Sequence, residues 1–376
     1  MLSLYIHIPF CVRKCRYCGF YSTPYSSVGA DDFISSLKVE SMLLQDAFKH
    51  RNFSSIYIGG GTPTILSTEQ FQQGIKIIRD HFRIDDAAEF TVEANPNSVT
   101  KEKLRNLLEC GVTRLSMGLQ SFSDDVLAYL GRLHTAAEAI DSFDLGRDAG
   151  FNNISMDLIY GIPSQTVTQW EQSLATAIAL KPEHISAYSL SLDEGSKFHE
   201  DEKQGRFLLP DDEVVAAMYE RALSMLINAG YSRYEISNFS LPGYACQHNM
   251  NYWDRGEYLG LGPGAWSFIA QTRTSNISDI KEYSRALSND KLPVDAREII
   301  DIETASREAV LLRLRTREGL DLNRFEQEYG ADIVRKLERN AVPLCRAGIL
   351  QITEDRMRFT DRGFLLSNEA LAKLSQ

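Results

Sequence analysis

Three cysteines stand in one short run, Cys11-Val-Arg-Lys-Cys15-Arg-Tyr17-Cys18, directly after the apolar stretch Leu4–Phe10. Their spacing is C-x3-C-x2-C, with no fourth cysteine nearby. A structural zinc site closes its shell with four ligands, and a cubane iron–sulfur cluster is normally held by four thiolates. Three thiolates leave one iron of such a cube without a protein ligand. An open iron can bind a small molecule, which a catalytic cluster needs and a pure electron carrier does not. A zinc loop, a disulfide pair or unrelated thiols are the plainer alternatives for the same residues.

Further residues with chemical potential follow at intervals. Gly59-Gly60-Gly61-Thr62-Pro63 comes after an apolar strand candidate. Glycines there allow close backbone approach to a ligand, although a tight turn would use them too. A phosphate loop is excluded because the Gly-Lys-Ser/Thr ending is missing. Glu93, Gln120, Arg132 and Asp157 are each more often structural when taken alone. Asp157 is the most suggestive, since a charge inside the apolar run Met156-Asp-Leu-Ile needs a partner. Tyr5 and His7 fall in the first strand, where a buried aromatic and a hydrogen-bonded core histidine are the default. Further on, Cys246-Gln-His248-Asn249-Met-Asn-Tyr252-Trp253 could offer an imidazole or a thiolate to a haem iron and rings to stack on a porphyrin. A hydrogen-bonded loop histidine beside core aromatics is the alternative.

Together these segments carry a resemblance. C-x3-C-x2-C with Tyr17 before its last cysteine resembles the radical S-adenosylmethionine (SAM) superfamily, in which the open iron binds SAM. The runs Tyr-Ile-His-Ile-Pro-Phe-Cys, Gly-Gly-Gly-Thr-Pro-Thr, Glu-Ala-Asn-Pro, Gly-Leu-Gln-Ser-Phe and Asp-Leu-Ile-Tyr-Gly-Ile-Pro narrow it. They are similar to the branch that contains oxygen-independent coproporphyrinogen III oxidases and HemW-type haem chaperones. The resemblance implies a [4Fe–4S] cluster on Cys11, Cys15 and Cys18. It implies SAM contacts from Tyr5, Tyr17, Gly60, Gly61, Thr62, Glu93, Gln120, Arg132 and Asp157. It also implies haem contacts from His248, Tyr252 and Trp253, in a motif associated with the chaperone group. The oxidases carry a further cysteine two residues past the third ligand, where this chain has Phe20, and an N-terminal extension before the first strand. Both differences favour a chaperone that carries haem to client haemoproteins of the respiratory system, with cluster and SAM acting as a switch. Anaerobic oxidative decarboxylation of coproporphyrinogen in porphyrin biosynthesis is the alternative.

The elements that must hold these residues alternate strand and helix. Strands are expected at Ser3–Ile8, Ser55–Ile58, Glu89–Glu93, Thr113–Gly118, Asn153–Ile159 and His184–Leu190. Helices are expected at Asp31–Phe48, Ser67–Phe82, Thr100–Cys110, Ala136–Ala149, Thr168–Leu180 and Asp212–Ala229. Phe33, Leu37, Met42 and Leu44 are assigned to the buried face of the first helix. Six βα units point to a partial (βα)6 barrel of the α/β class, and the candidate residues fall at strand C-terminal ends, where such barrels keep their sites. Asp193–Asp212 reads as irregular. Residues 1–235 are assigned to the barrel, 236–299 to a connecting segment with the haem motif, and 300–376 to a small α+β winged-helix-like domain. In that domain, helices at Thr304–Leu314, Asp321–Tyr329 and Ile333–Ala347 precede a hairpin and a last helix, Arg362–Leu374.

Composition fits a globular chain of 376 residues with 43% hydrophobic and 24% charged residues. The net charge of −11 argues against a general nucleic-acid binder. The C-terminal segment from Asp301 on has 13 Lys+Arg against 13 Asp+Glu, which favours a packing or lid role over a DNA-binding wing. No apolar run approaches the ~20 residues of a membrane span, so any membrane association would be peripheral. The N-terminus lacks a signal-peptide pattern, and clustered cysteines without a secretory context suit a reducing cytoplasm.

Overall fold

The computed structural model describes residues 1–374. Six parallel strands lie side by side: β1 (Leu2–Ile8), β2 (Asn52–Gly60), β3 (Arg83–Ala94), β4 (Arg114–Gln120), β5 (Ile154–Tyr160) and β6 (His184–Ser189). They are joined by α1 (Ser27–Phe48), α2 (Thr68–His81), α3 (Lys101–Glu109), α4 (Asp124–Leu130), α5 (Ala136–Ala149) and α6 (Val167–Leu180). This is the expected partial barrel. The face covered by helices is apolar: in β1 Leu4, Ile6 and Ile8 share it and are all buried, while Ser3, Tyr5 and His7 alternate onto the other face.

The helix boundaries follow from caps. Ser67, Thr135 and Thr166 each accept from the third helical N–H, and Gln70, Glu138 and Gln169 return a bond to the cap, forming capping boxes. Helix α5 stops at Gly150, whose φ of 117° suits glycine. In α1 the buried stripe is Phe33, Leu37 and Glu40–Ser41, and Met42 is 48% exposed. Met42 lies one residue off the 3.6-residue stripe, so its assignment to the core does not hold.

The chain then extends both edges of the sheet. After α7 (Lys197–Lys203) and α8 (Asp212–Asn228), the short strand β8 (Asn238–Ser240) adds antiparallel to β6, and β7 (Ser232–Arg233) pairs antiparallel to β8 at the edge. Helix α9 (Gln247–Trp253) leads into β9 (Glu257–Leu261), which pairs parallel to β1 from Leu2↔Glu257 to Ile6↔Leu261. Strands β10 (Trp266–Ile269), β11 (Thr272–Asn276) and β12 (Val294–Ile299) continue that edge antiparallel, with α10 (Ile280–Leu287) between the last two. Residues 257–299 therefore build the flank beside β1, while β8 of the segment 236–299 belongs to the opposite edge. The stretch Asp193–Asp212 is not irregular throughout, since it contains α7.

The C-terminal module stacks α11 (Ile302–Arg313), α12 (Leu322–Tyr329) and α13 (Ala331–Arg346) on a three-stranded sheet. The sheet comprises β13 (Leu320–Asp321), β14 (Leu350–Ile352) and β15 (Arg356–Phe359) in the order 13-15-14. The expected last helix is two, α14 (Asp361–Leu365) and α15 (Ser367–Leu374). Among the described residues no helix is long and apolar enough to cross a membrane.

Candidate functional site

The strand register brings the candidate residues to one end of the sheet. Gly60 pairs with Ile8, Glu93 with Ser116, Gly118 with Asp157, and Asp157 with Ser186. Cys11, Cys15 and Cys18 leave β1 in a loop above that end and are all free and half-buried. They line a cavity of about 460 Å³ together with Tyr17, Gly60, Gly61, Thr62, Glu93, Gln120, Arg132 and Asp157. Of the nine residues expected to contact SAM, eight line this cavity. Tyr5 lines a second, adjoining one.

The cysteine loop is fastened from outside. Arg13 donates to Gly131 O at 2.7 Å, and Arg16 N donates to Leu130 O at the end of α4. The Arg16 guanidinium lies 4.8 Å from the Phe198 ring and pairs with Asp201 of α7 at 3.0 Å. Burial alone would raise the Asp201 carboxyl, but Lys197, Arg16 and Arg206 outweigh it and hold it at about 2. Helix α7 thus clamps the loop, which composition did not reveal. Burial raises the Cys11 thiol and pushes Cys18 up to about 11, so these thiols resist ionising until a metal claims them. Thr62 Oγ1 approaches Cys11 Sγ at 3.7 Å, and Arg132 Nη1 donates to Cys15 Sγ at 3.5 Å. Among the described residues no three His, Cys, Asp or Glu side chains converge as one chelated ion requires. Three thiols around an open cavity fit a larger cluster with a free corner.

The walls are built from buried polar contacts. Tyr57 Oη donates to Glu93 Oε1 at 2.9 Å, and Gly60 N donates to Oε2 at 3.1 Å. Burial outweighs both donors and raises the Glu93 carboxyl to about 7. Gly60 holds φ at 107°, and a Cβ there would lie 2.5 Å from the His7 ring; one on Gly61 would lie 2.5 Å from Phe10 O. The close approach expected of the glycines is therefore made to the protein's own atoms. Asp157 accepts from Ser186 at 2.7 Å, Ser116 at 3.0 Å and Ser155 at 3.2 Å, while burial still raises its pKa. Gln120 ends β4 with φ of 69°, and a Cβ on Gly118 would lie 2.9 Å from its Nε2.

Arg114 was not singled out by sequence. It is 2% exposed, lines the cavity, and leaves Nε without a partner. Its charge faces Cys246, Glu89 and Tyr57 and helps lower Glu93 and Asp157 against burial. A cation opening the apolar run of β4 was the available signal.

The adjoining cavity holds about 940 Å³ and is largely aromatic, with Tyr5, Phe20, Tyr57, Tyr252, Trp266 and Phe268 among its walls. Phe20 is 63% exposed and Trp266 49%. Gly19, Phe20, Tyr57, Glu93 and Asn249 line both cavities. Glu89 of β3 accepts from Gln247 N and His248 N at 3.1 Å each and from Cys246 Sγ at 3.3 Å, capping α9. Cys246 is fully buried and pushed up to about 12 by burial, so it is a poor thiolate donor. His248 lines the larger cavity, but both ring nitrogens are engaged. Ser55 gives its proton to Ser3 Oγ at 2.8 Å, so His248 Nδ1–H donates to Ser55 at 3.0 Å. Nε2 is then the acceptor from Tyr252 Oη at 2.9 Å. Burial, aided by Arg114, lowers the His248 pKa to about 3 and keeps the ring neutral. Tyr252 lines the cavity; Trp253, at the end of α9, does not.

A partial barrel with a three-cysteine loop over its strand ends is the architecture of a radical SAM protein, and residues 5–177 match the Radical SAM superfamily while 300–366 match the HemN C-terminal domain. The chain is 37% identical to "Heme chaperone HemW" of Bacillus subtilis, covering 98% of each chain. It is 34% identical to the Lactococcus lactis protein of that name over 99% of this chain and 96% of the relative. It superposes on coproporphyrinogen III oxidase (HemN) from Escherichia coli with a TM-score of 0.88, covering 100% of this chain and 90% of the other; at 24% identity that likeness shows the fold alone. The chain belongs to the HemW family of heme chaperones.

Proposed function

We propose that this protein carries haem in the aromatic cavity and delivers it to client haemoproteins of the respiratory chain, working from the cytoplasm with at most peripheral membrane contact. The observation that carries the reading is the shared wall: a cavity of about 940 Å³, at the upper end of ligand-pocket sizes, adjoins the cysteine pocket across Phe20, Tyr57, Glu93 and Asn249. A [4Fe–4S] cluster on Cys11, Cys15 and Cys18 would supply an open iron to chelate SAM and a single electron. Around it, Glu93 and Asp157 offer carboxylate oxygens to SAM's amine and hydroxyl groups. Arg132 supports Cys15 and the β4 end. Tyr57 holds Glu93 in place and presents its ring to the other side. Family membership supports haem as cargo, and Phe20 stands where the oxidases have a further cysteine.

The test is anaerobic reconstitution, then haem titration with and without SAM. Iron and sulfide at about four each per chain and a Soret shift that SAM changes are expected. A protein that binds no haem, or that converts coproporphyrinogen to protoporphyrinogen with SAM and reductant, overturns the reading in favour of a carrier-free or oxidase activity.

A further inference from the structure

Three arginines line the larger cavity on the side of the C-terminal module, and they are not equivalent. Arg255 pairs with Glu308 at 2.9 Å and packs 4.6 Å over the Phe268 ring. Arg273 pairs with the same Glu308 and with Glu298. Arg315, just beyond α11, has no carboxylate within ion-pair distance among the described residues. Its Nη2 donates to the neutral Asn368 Oδ1 at 2.9 Å, and its buried Nε has no partner. Burial lowers its pKa with no neighbouring charge to offset it. On the same wall Arg255 also keeps a buried Nη2 unpartnered. One carboxylate, Glu308, therefore serves two guanidinium groups, and a third meets an otherwise aromatic and aliphatic space formed with Leu311 and Leu312.

Arg315 is half-buried and has no counter-ion among the described residues, and a bidentate carboxylate is the partner its planar guanidinium fits best. We infer that Arg315 is the anchor for a carboxylate of the cavity's ligand; for a haem that carboxylate is a propionate. This deepens the haem reading and rests on it. The ring system would lie among the aromatics of the barrel side, and its acidic edge would face the C-terminal module. That module would then select for a free-acid porphyrin.

The reconstituted full chain is titrated with haem and with haem dimethyl ester, for wild type, Arg315→Gln and Arg315→Lys. Circular dichroism confirms that the variants fold. Wild type is expected to prefer the free acid by about tenfold or more, as one charge-assisted contact implies. Arg315→Gln should bring the two ligands within about twofold by weakening only the acid, and Arg315→Lys should restore part of the preference. Equal affinity of wild type for both ligands, or an unchanged preference in Arg315→Gln, overturns the inference while leaving haem binding intact. Binding of neither ligand by wild type removes the haem reading and the inference with it.

Discussion

Tyr57 Oη donates to Glu93 Oε1 across 2.9 Å, while the Tyr57 ring lies 5.1 Å from the His248 ring at 34°. One side chain thus holds a wall residue of the cysteine pocket by its hydroxyl and faces the aromatic cavity with its ring. Tyr57→Phe should weaken SAM binding by about tenfold, the worth of one hydrogen bond to a charged group, and leave haem affinity unchanged. Tyr57→Ala should weaken both. Calorimetry for SAM and Soret titration for haem measure the two separately; equal losses in the Phe variant would count against this division.

The Nε2 lone pair of His248 is occupied by the Tyr252 hydroxyl. Tyr252→Phe removes that competitor and should tighten haem binding by about fivefold, the value of one neutral hydrogen bond. His248→Ala should weaken it by about tenfold or more. Electronic absorption spectra of the haem complex report the axial ligand. Unchanged spectra and affinity in both variants would remove His248 as ligand.

Asp157 accepts three serine hydroxyls. Asp157→Asn keeps the shape, removes the charge and offers a donor where three donors already point. SAM affinity should fall by about tenfold or more, with iron and sulfide content as in the wild type. A parallel loss of iron would instead assign Asp157 to holding the barrel end.

Glu40 of α1 is buried and accepts from Tyr283 Oη at 2.7 Å, Gly262 N at 2.9 Å and Asn276 Nδ2 at 2.6 Å. Burial outweighs these donors and raises its carboxyl from an ordinary 4.5 to about 7. Between those values the folded state holds a proton that the unfolded state has lost. Its contribution to stability is therefore fully present below pH 4.5 and is lost as pH rises through 7. At ~1.36 kcal/mol per pH unit the loss is about 3 kcal/mol. Glu40→Gln should remove this part of the slope, read as the difference in urea-unfolding free energy between variant and wild type at pH 5 and at pH 8.

The barrel was legible because its signals are local. Ser67, Thr135 and Thr166 announce helix starts within four residues, and β1 to β6 announce themselves as short apolar runs. The cysteine pocket was legible because the cysteine loop, Gly60, Glu93 and Gln120 sit at or just past the ends of successive strands. The second cavity was not: Tyr5, Phe20 and Trp266 come from distant segments, and Arg255 looks like a surface charge until Glu308 of the C-terminal module pairs with it. Short strands such as β10, only four residues long, and β11, made of Thr, Arg, Ser and Asn, carry little hydrophobic alternation. They form because β9 offers an edge to pair with. For His248, sequence could name the residue and could not show that Tyr252 and Ser55 already occupy its ring.

Phe20, Tyr57, Glu93 and Asn249 form a partition with an occupant's side on each face. If the two chambers fill as proposed, any movement of that partition is felt by both tenants. Equilibrium linkage then demands symmetry: the factor by which SAM alters haem dissociation is the factor by which haem alters SAM dissociation. Cargo release and loss of the small-molecule ligand would thus be two views of one event.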